Sequence, residues 1–210
     1  LAEQLLVNIR KISQLPVKRV IATHYHADHI YGLQVFEDLG AEIFAPNGVH
    51  NYLNSQAAVD RLEERRFSLD PWVNEETRLV QPDKTISKSF TISEGGVDIV
   101  INYLGKAHSD ADLTVFVEPD SVFITGDVIF EGRIPFVGDS DSKAWLETLT
   151  KMAKRKGISA LIPGHGGLAR EPLKAISLTR DYLLFLRQKF GAGVEEMMSF
   201  DEIYSSIDWS

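Results

Sequence analysis

The 210 residues include no cysteine. Disulfides, thiolate metal sites and a cysteine nucleophile are therefore excluded, and the absence suits the cytoplasm and the periplasm alike. There is no apolar run approaching the ~20 residues that a membrane-crossing helix requires, so no membrane partner is expected. Basic surplus is missing too. The chain has 22 Lys and Arg against 30 Asp and Glu, and its net charge of -8 argues against a nucleic-acid surface. At the start, Glu3, Asn8, Arg10 and Lys11 interrupt any signal-peptide core. The first residue is Leu1 and not Met, so the sequence reads as a processed or trimmed product. No internal repeat, low-complexity stretch or dividing linker is present. The expectation is a single domain over residues 1–210, a bacterial-type soluble protein of the periplasm or cytoplasm with a small-molecule substrate, its oligomeric state left open.

What is present begins with an ordinary globular composition, 44% hydrophobic and 25% charged, enough for a core without staples. The organising stretch is Thr23-His24-Tyr25-His26-Ala27-Asp28-His29. A β-branched run, Arg19-Val20-Ile21-Ala22, precedes it and reads as a buried strand over 19–23. Ile30, Leu33, Val35, Phe36 and Leu39 follow at roughly helical spacing, with Gly40 as the stop. The cluster thus lies on a strand-to-helix turn, where sites collect in open α/β architectures. His24 and His26 are two apart in an extended segment, so both rings can point to one side. Asp28 and His29 lie past the turn and can serve a neighbouring ion. Capping by Asp28 would account for one carboxylate, but not for three imidazoles.

The rest of the chain reads as α/β. A helix over 1–14 carries Leu1, Leu5, Leu6, Ile9 and Ile12 on one stripe. Ala41–Ala45 is a short strand, and 46–67 is mostly helical with Asn47 as a possible cap. Within it, the mixed charges of Arg61–Arg66 read as a solvated face, as does Lys151–Lys156 later on. Residues 68–88 are loop-rich, with Phe67 and Trp72 expected either as core plugs or as a wall over a site. Hairpins are expected at Glu94-Gly95-Gly96 and at Glu118-Pro119-Asp120-Ser121. Then come a helix over 142–156, a buried strand over 160–162, a helix over 171–190, and a short helical tail after Gly191 and Gly193.

Of the six histidines, two more follow predicted strands in glycine-containing loops: His108 in Gly105-Lys106-Ala107-His108 and His165 in Pro163-Gly164-His165-Gly166. Asp127, in Thr125-Gly126-Asp127, also follows a strand. Four strand ends delivering His or Asp point to one shared metal site. Nitrogen and carboxylate donors without thiolate suit Zn²⁺, with Fe²⁺ or Mn²⁺ as competitors. His50, inside a predicted helix, reads as a surface or packing residue.

The ordered set His24-x-His26-x-Asp28-His29, His108, Gly126-Asp127 and Gly164-His165-Gly166 resembles the metallo-β-lactamase superfamily of hydrolases, over roughly residues 15–170. The resemblance implies an α/β fold (α+β in some schemes): a four-layer αββα sandwich of two mixed β-sheets, with a dinuclear zinc site along one edge. It implies that His24, His26 and His108 hold a first metal, that Asp28, His29 and His165 hold a second, and that Asp127 bridges both. Asp28 and Asp127 become the candidate catalytic carboxylates. Members of the superfamily usually carry several strands ahead of the helix read at 1–14, and almost nothing precedes it here.

Two metals ~3.5–4 Å apart share a bridging water and bring its pKa toward ~7, generating a hydroxide for attack on a carbonyl or phosphorus. The interval between Asp127 and His165 is too short for the inserted domain of the nucleic-acid-processing branch. The segment after His165 is too short for the helical domain of glyoxalase II. Gly132–Asp139 and Ala144-Trp145-Leu146 resemble both the classical zinc β-lactamases and the metallohydrolases of quinoprotein-relay and sulfur-oxidation systems. The latter fit better. Asp127 stands where those lactamases have Cys, and Phe130 stands where they have a carboxylate-gripping Lys. Arg133 could substitute for that Lys in binding substrate, or equally be a surface or ion-pair residue. The expectation is a binuclear zinc hydrolase of a small ester, thioester or amide, with weak β-lactamase activity at most. The alternatives are a sulfur dioxygenase, with one iron held by two His and one Asp, and a non-catalytic metal-stabilised fragment.

Overall fold

The computed structural model describes residues 1–209. In chain order, α1 (Ala2–Ile12) leads to β1 (Arg19–Ile21), then α2 (Ala27–Ile30), α3 (Leu33–Glu37) and β2 (Glu42–Pro46). Next come α4 (Val49–Leu53), α5 (Gln56–Ser68) and β3 (Lys84–Ile86). Four strands follow without a helix: β4 (Phe90–Glu94), β5 (Val97–Gly105), β6 (Asp112–Glu118) and β7 (Val122–Phe130). The chain continues through α6 (Ser142–Met152), β8 (Ala160–His165), α7 (Pro172–Glu195) and α8 (Phe200–Ser206).

Two sheets result. The smaller has the order β1-β2-β3, and the larger has the order β4-β5-β6-β7-β8. In the larger, β4 to β7 pair antiparallel and β8 pairs parallel to β7. Mixed pairing is confined to this sheet. Every described pair of the smaller one is parallel, because helices carry the chain from the end of each strand to the start of the next. Phe44 and Ile86 of the smaller sheet meet Ile101, Leu113 and Val115 of the larger, forming the inter-sheet core. Ile30, Leu33, Phe36 and Leu62 cover the outside of the smaller sheet, where Ile43 is fully buried. Trp145, Leu149, Ile176 and Leu183 cover the outside of the larger, against Phe123, Ile129 and Leu161. These layers are the αββα sandwich that the motif resemblance implied.

Several boundaries differ from the sequence reading for local reasons. The helix expected up to Leu39 breaks at Gly32, where an added Cβ would come within 2.6 Å of Ala2 Cβ; the glycine lets α1 lie against this turn. On α1 only Ala2, Leu6 and Ile9 face the body, while Leu1, Leu5 and Ile12 face out. The helix expected over 46–67 is two helices, because the Ser55 hydroxyl accepts the Ala58 N–H and caps a new one. Asn47 does not cap; its N–H donates to Ile86 O at 2.7 Å. The loop expected over 68–88 contains β3, too short and too polar to announce itself. Phe67 and Trp72 are neither core nor site wall, at 91% and 81% exposed. Ala58 and Leu62 define the buried stripe of α5, Phe67 falls off it, and Val73 takes the inward position beside Trp72. Helix α7 runs on through Gly191 and Gly193 to Glu195, with Gly193 backed by Ile203 of α8.

Candidate metal centre

The loops after β1 and β5, together with strands β7 and β8, deliver the ligand-type residues to one edge of the sandwich. His24 and His108 are fully buried, and Asp127 is nearly so. His26, His29 and His165 are partly covered, and Asp28 is half exposed. Ligand atoms of His24, His26, His108 and Asp127 lie within 4.8 Å of one another, as do those of Asp28, His29 and His165. All seven sequence-predicted residues therefore come together, Asp127 grouping with His24, His26 and His108, and Asp28 with His29 and His165. His50 stays apart; its Nδ1 pairs with Gln81 Oε1 at 2.7 Å on the surface.

Asp127 is the hub. Its Oδ2 lies 3.9 Å from His24 Nε2, 3.4 Å from His108 Nε2 and 3.3 Å from His165 Nε2, and its Oδ1 lies 3.1 Å from His29 Nε2. Asp28 Oδ2 faces His165 Nε2 at 2.9 Å and His29 Nε2 at 3.4 Å. His26 Nδ1 and His108 Nε2 approach to 2.9 Å. Glycine makes the hub possible. A side chain at Gly164 would run into the Asp127 carboxylate, and one at Gly126 would come within 2.6 Å of Thr23 Oγ1.

Surrounding groups aim the rings. Thr23 Oγ1 lies 3.1 Å from His24 Nδ1, and Asp139 Oδ2 lies 3.4 Å from His26 Nε2. His108 meets Trp145 edge-on at 5.2 Å, and Trp145 Nε1–H donates to Val128 O, which fixes the indole. His165 stacks on Phe130, with ring centroids 5.5 Å apart. Asp112, also buried, ties the turn that presents His108. Its Oδ2 accepts the Ser109 N–H at 2.8 Å, and its Oδ1 accepts the Ser109 hydroxyl at 3.1 Å. Burial pushes the Asp112 carboxyl up to about 7, against the pull of those hydrogen bonds.

Burial, reinforced by neighbouring imidazoles, holds His24 well below its usual pKa. His108 is pushed down to about 4 by burial, against the nearby Asp127. His26 is lowered, again chiefly by burial. These rings are neutral near pH 7, the form that binds metal. Burial also works against a charge on His29, yet the carboxylates of Asp127 and Asp28 outweigh it and raise the group to about 9. Asp28 is held low by His29, against its own partial burial. A polar test of metal fit comes from the unpaired atoms. His24 Nε2, His26 Nε2, His29 Nε2, His108 Nδ1 and Asp127 Oδ1 are buried and form no well-aligned hydrogen bond. Buried polar atoms are normally satisfied, so His24 Nε2 and His29 Nε2 converging unpaired on the Asp127 carboxylate match a cation site in both geometry and donor chemistry.

A cleft of about 540 Å³ opens onto this cage, within the range of small-molecule sites. Tyr25, Tyr52, Ile134 and Phe136 line it, as does Arg133, the sequence-predicted substrate contact. Arg61 and Arg65 line it as well, which corrects the reading of Arg61–Arg66 as a purely solvated face. Sequence reasoning missed these two arginines, and also Asp112 and Asp139. Only the i, i+4 spacing of Arg61 and Arg65 hinted that they share a side.

The sequence model described as "Metallo-beta-lactamase superfamily" matches residues 2–165. Among curated proteins, the chain is 26% identical over 154 residues to a metallo-beta-lactamase type 2 of Bacteroides fragilis, covering 71% of this chain and 53% of that protein. It is 26% identical over 157 residues to the acyl-coenzyme A thioesterase MBLAC2 of Gallus gallus, covering 69% of this chain and 55% of that protein. The chain thus spans about half the length of these curated relatives. Among solved structures, a metallo-beta-lactamase from Pontibacter korlensis superposes with a TM-score of 0.65 at 20% identity, covering 87% of this chain and 76% of that one, which shows a shared fold.

Proposed function

The chain belongs to the metallo-beta-lactamase superfamily, and from that premise we propose that it is a metal-dependent hydrolase with a binuclear zinc site, acting on a small ester, thioester or amide. One observation carries the reading: the buried, unpaired His24 Nε2 and His29 Nε2 converge on the buried carboxylate of Asp127, with His108 Nε2 and His165 Nε2 beside them. Each such orphan costs ~1–3 kcal/mol, a cost that a bound ion removes. His24, His26 and His108 would hold one ion, Asp28, His29 and His165 the other, with Asp127 between them. Ions bound there supply Lewis acidity, polarising a carbonyl and bringing the pKa of a water toward ~7.

The chain's own groups do the positioning. Asp28, half exposed on the cleft, is a hydrogen-bond acceptor that can orient an incoming water. Thr23 fixes the His24 ring, and Asp139 lies 3.4 Å from His26 Nε2. Tyr25, Tyr52, Ile134 and Phe136 give the cleft its apolar wall beside the cage. The thioesterase and the β-lactamases among the relatives support acyl-group hydrolysis. Phe130 is buried and stacked on His165, so it cannot grip a substrate carboxylate; this supports β-lactam cleavage as a side activity only.

Metal analysis and a substrate panel test the proposal. The expected result is about two zinc per chain, with turnover of at least one ester, thioester or amide. One iron per chain with oxygen consumption would support the sulfur dioxygenase instead. Bound metal without turnover across ester, thioester, lactam and phosphodiester substrates would support a non-catalytic fragment.

A further inference from the structure

The cleft has an electrostatic feature that hydrolysis at the cage does not use. In a chain of net charge -8, its wall carries three arginines, Arg61, Arg65 and Arg133. Arg61 and Arg65 sit one turn apart on α5, so their side chains leave the helix on the same face. Their one shared counter-charge is Glu64, at 3.9 Å from Arg61 and 3.5 Å from Arg65, beyond good hydrogen-bond distance. Arg133 has no ion-pair or hydrogen-bond partner among the described residues. Of the carboxylates on the wall, Asp28 and Asp127 belong to the cage, and Asp139 faces His26. Even with Glu64 and the Asp139 carboxylate beside the neutral His26 set against them, the three guanidinium groups leave a positive surplus, the sign that a phosphate requires.

The arginines also share the cleft with the cage. Tyr25 stands against His26, with ring centroids 5.0 Å apart, Tyr52 stands against Tyr25 at 4.8 Å, and Tyr52 in turn feels the charges of Arg61 and Arg65. A group held by Arg61 and Arg65 therefore lies beside Tyr52, in the same cleft as the cage.

We infer that the cleft takes a substrate whose tail carries a phosphate group, gripped by the guanidinium forks of Arg61 and Arg65 while the acyl bond lies at the His/Asp cage. This rests on the hydrolase reading for the acyl end only. Planar, multiply donating guanidinium groups suit a phosphate better than an isolated carboxylate. Binding energy gained away from the reacting bond acts on substrate and transition state alike, so it belongs in KM.

The test compares the zinc-loaded chain with the double variant Arg61→Gln, Arg65→Gln. Acetyl-coenzyme A and S-acetyl-N-acetylcysteamine present the same thioester with and without phosphates. The double variant is expected to raise KM for the former by about 10- to 100-fold, the scale of losing charged hydrogen bonds, with kcat retained. Zinc content and turnover of the phosphate-free thioester should not move. An equal penalty on the thioester of thioglycolate, which bears only a carboxylate, would overturn the phosphate assignment. Calorimetric binding of adenosine 3′,5′-bisphosphate needs no hydrolysis and keeps the two readings apart. Arginine-dependent binding without any turnover would sink the hydrolase and leave the phosphate grip standing. No binding by the wild-type chain, or binding that survives loss of both arginines, would overturn the grip.

Discussion

Replacing Asp127 by asparagine removes one charge and almost no volume from the centre of the cage. The carboxylate sits 3.1 to 3.9 Å from four imidazole nitrogens contributed by both ligand groups. At an effective dielectric near 20, a unit charge ~4 Å from another is worth ~4 kcal/mol, and a divalent ion raises that figure. Part of the loss is recovered, because the buried amide costs less to desolvate than the carboxylate. A net loss of ~3–4 kcal/mol remains, or ~10²- to 10³-fold weaker metal binding. The assay is titration of the metal-free variant with zinc against a competing chelator, with elemental analysis of the purified protein. Far-ultraviolet circular dichroism should stay at the wild-type spectrum, since the amide fills the same space beside Gly164. An Asp127→Asn protein that keeps two zinc ions with the wild-type dissociation constant would refute the bridging role.

Asp112→Ala should leave the Ser109 N–H unpaired in a buried turn, costing ~1–3 kcal/mol in thermal or denaturant unfolding. It should also weaken zinc binding by loosening the loop that presents His108; unchanged stability would show that the tie is idle. His50→Ala should alter neither metal content nor turnover, since its partner is the surface Gln81, and a large loss of either would bring the sixth histidine into the site. In the metal-free protein, His24 and His108 have folded pKa values below the unfolded 6.5, so their stabilising contribution is present above 6.5 and is lost as pH falls toward 4. His29, raised to about 9, contributes fully below 6.5 and loses that contribution as pH rises toward 9. Thermal melts across this range should peak near pH 6.5 and decline on both sides, and a melting temperature that climbs steadily in either direction would contradict these shifts.

The cage was legible in the sequence because its chemistry is local even though its assembly is not. His24 and His26 on one side of an extended segment, and single His or Asp residues just past strands, carry the pattern in a few adjacent positions. The convergence of Asp127 and His165 could be anticipated for the same reason: each sits where its strand reaches the functional edge, and Gly126 and Gly164 mark the backbone's close approach. The helical layer resisted reading where tertiary contact overrides spacing. Gly32 sits at the break in a periodic stretch with Ala2 packed against it, and nothing near Gly32 in the sequence records that neighbour. Arg61 and Arg65 show the limit most sharply. A helix face of mixed charge reads the same whether it meets water or a cleft, and what decides is the placement of α5 beside Tyr25 and Tyr52. The metal-binding edge is thus written in residue types, whereas the substrate-facing wall is written in how α5 packs. Ligand substitutions should therefore act on metal content, and substitutions on the exposed face of α5 should act on substrate choice with the metals left in place.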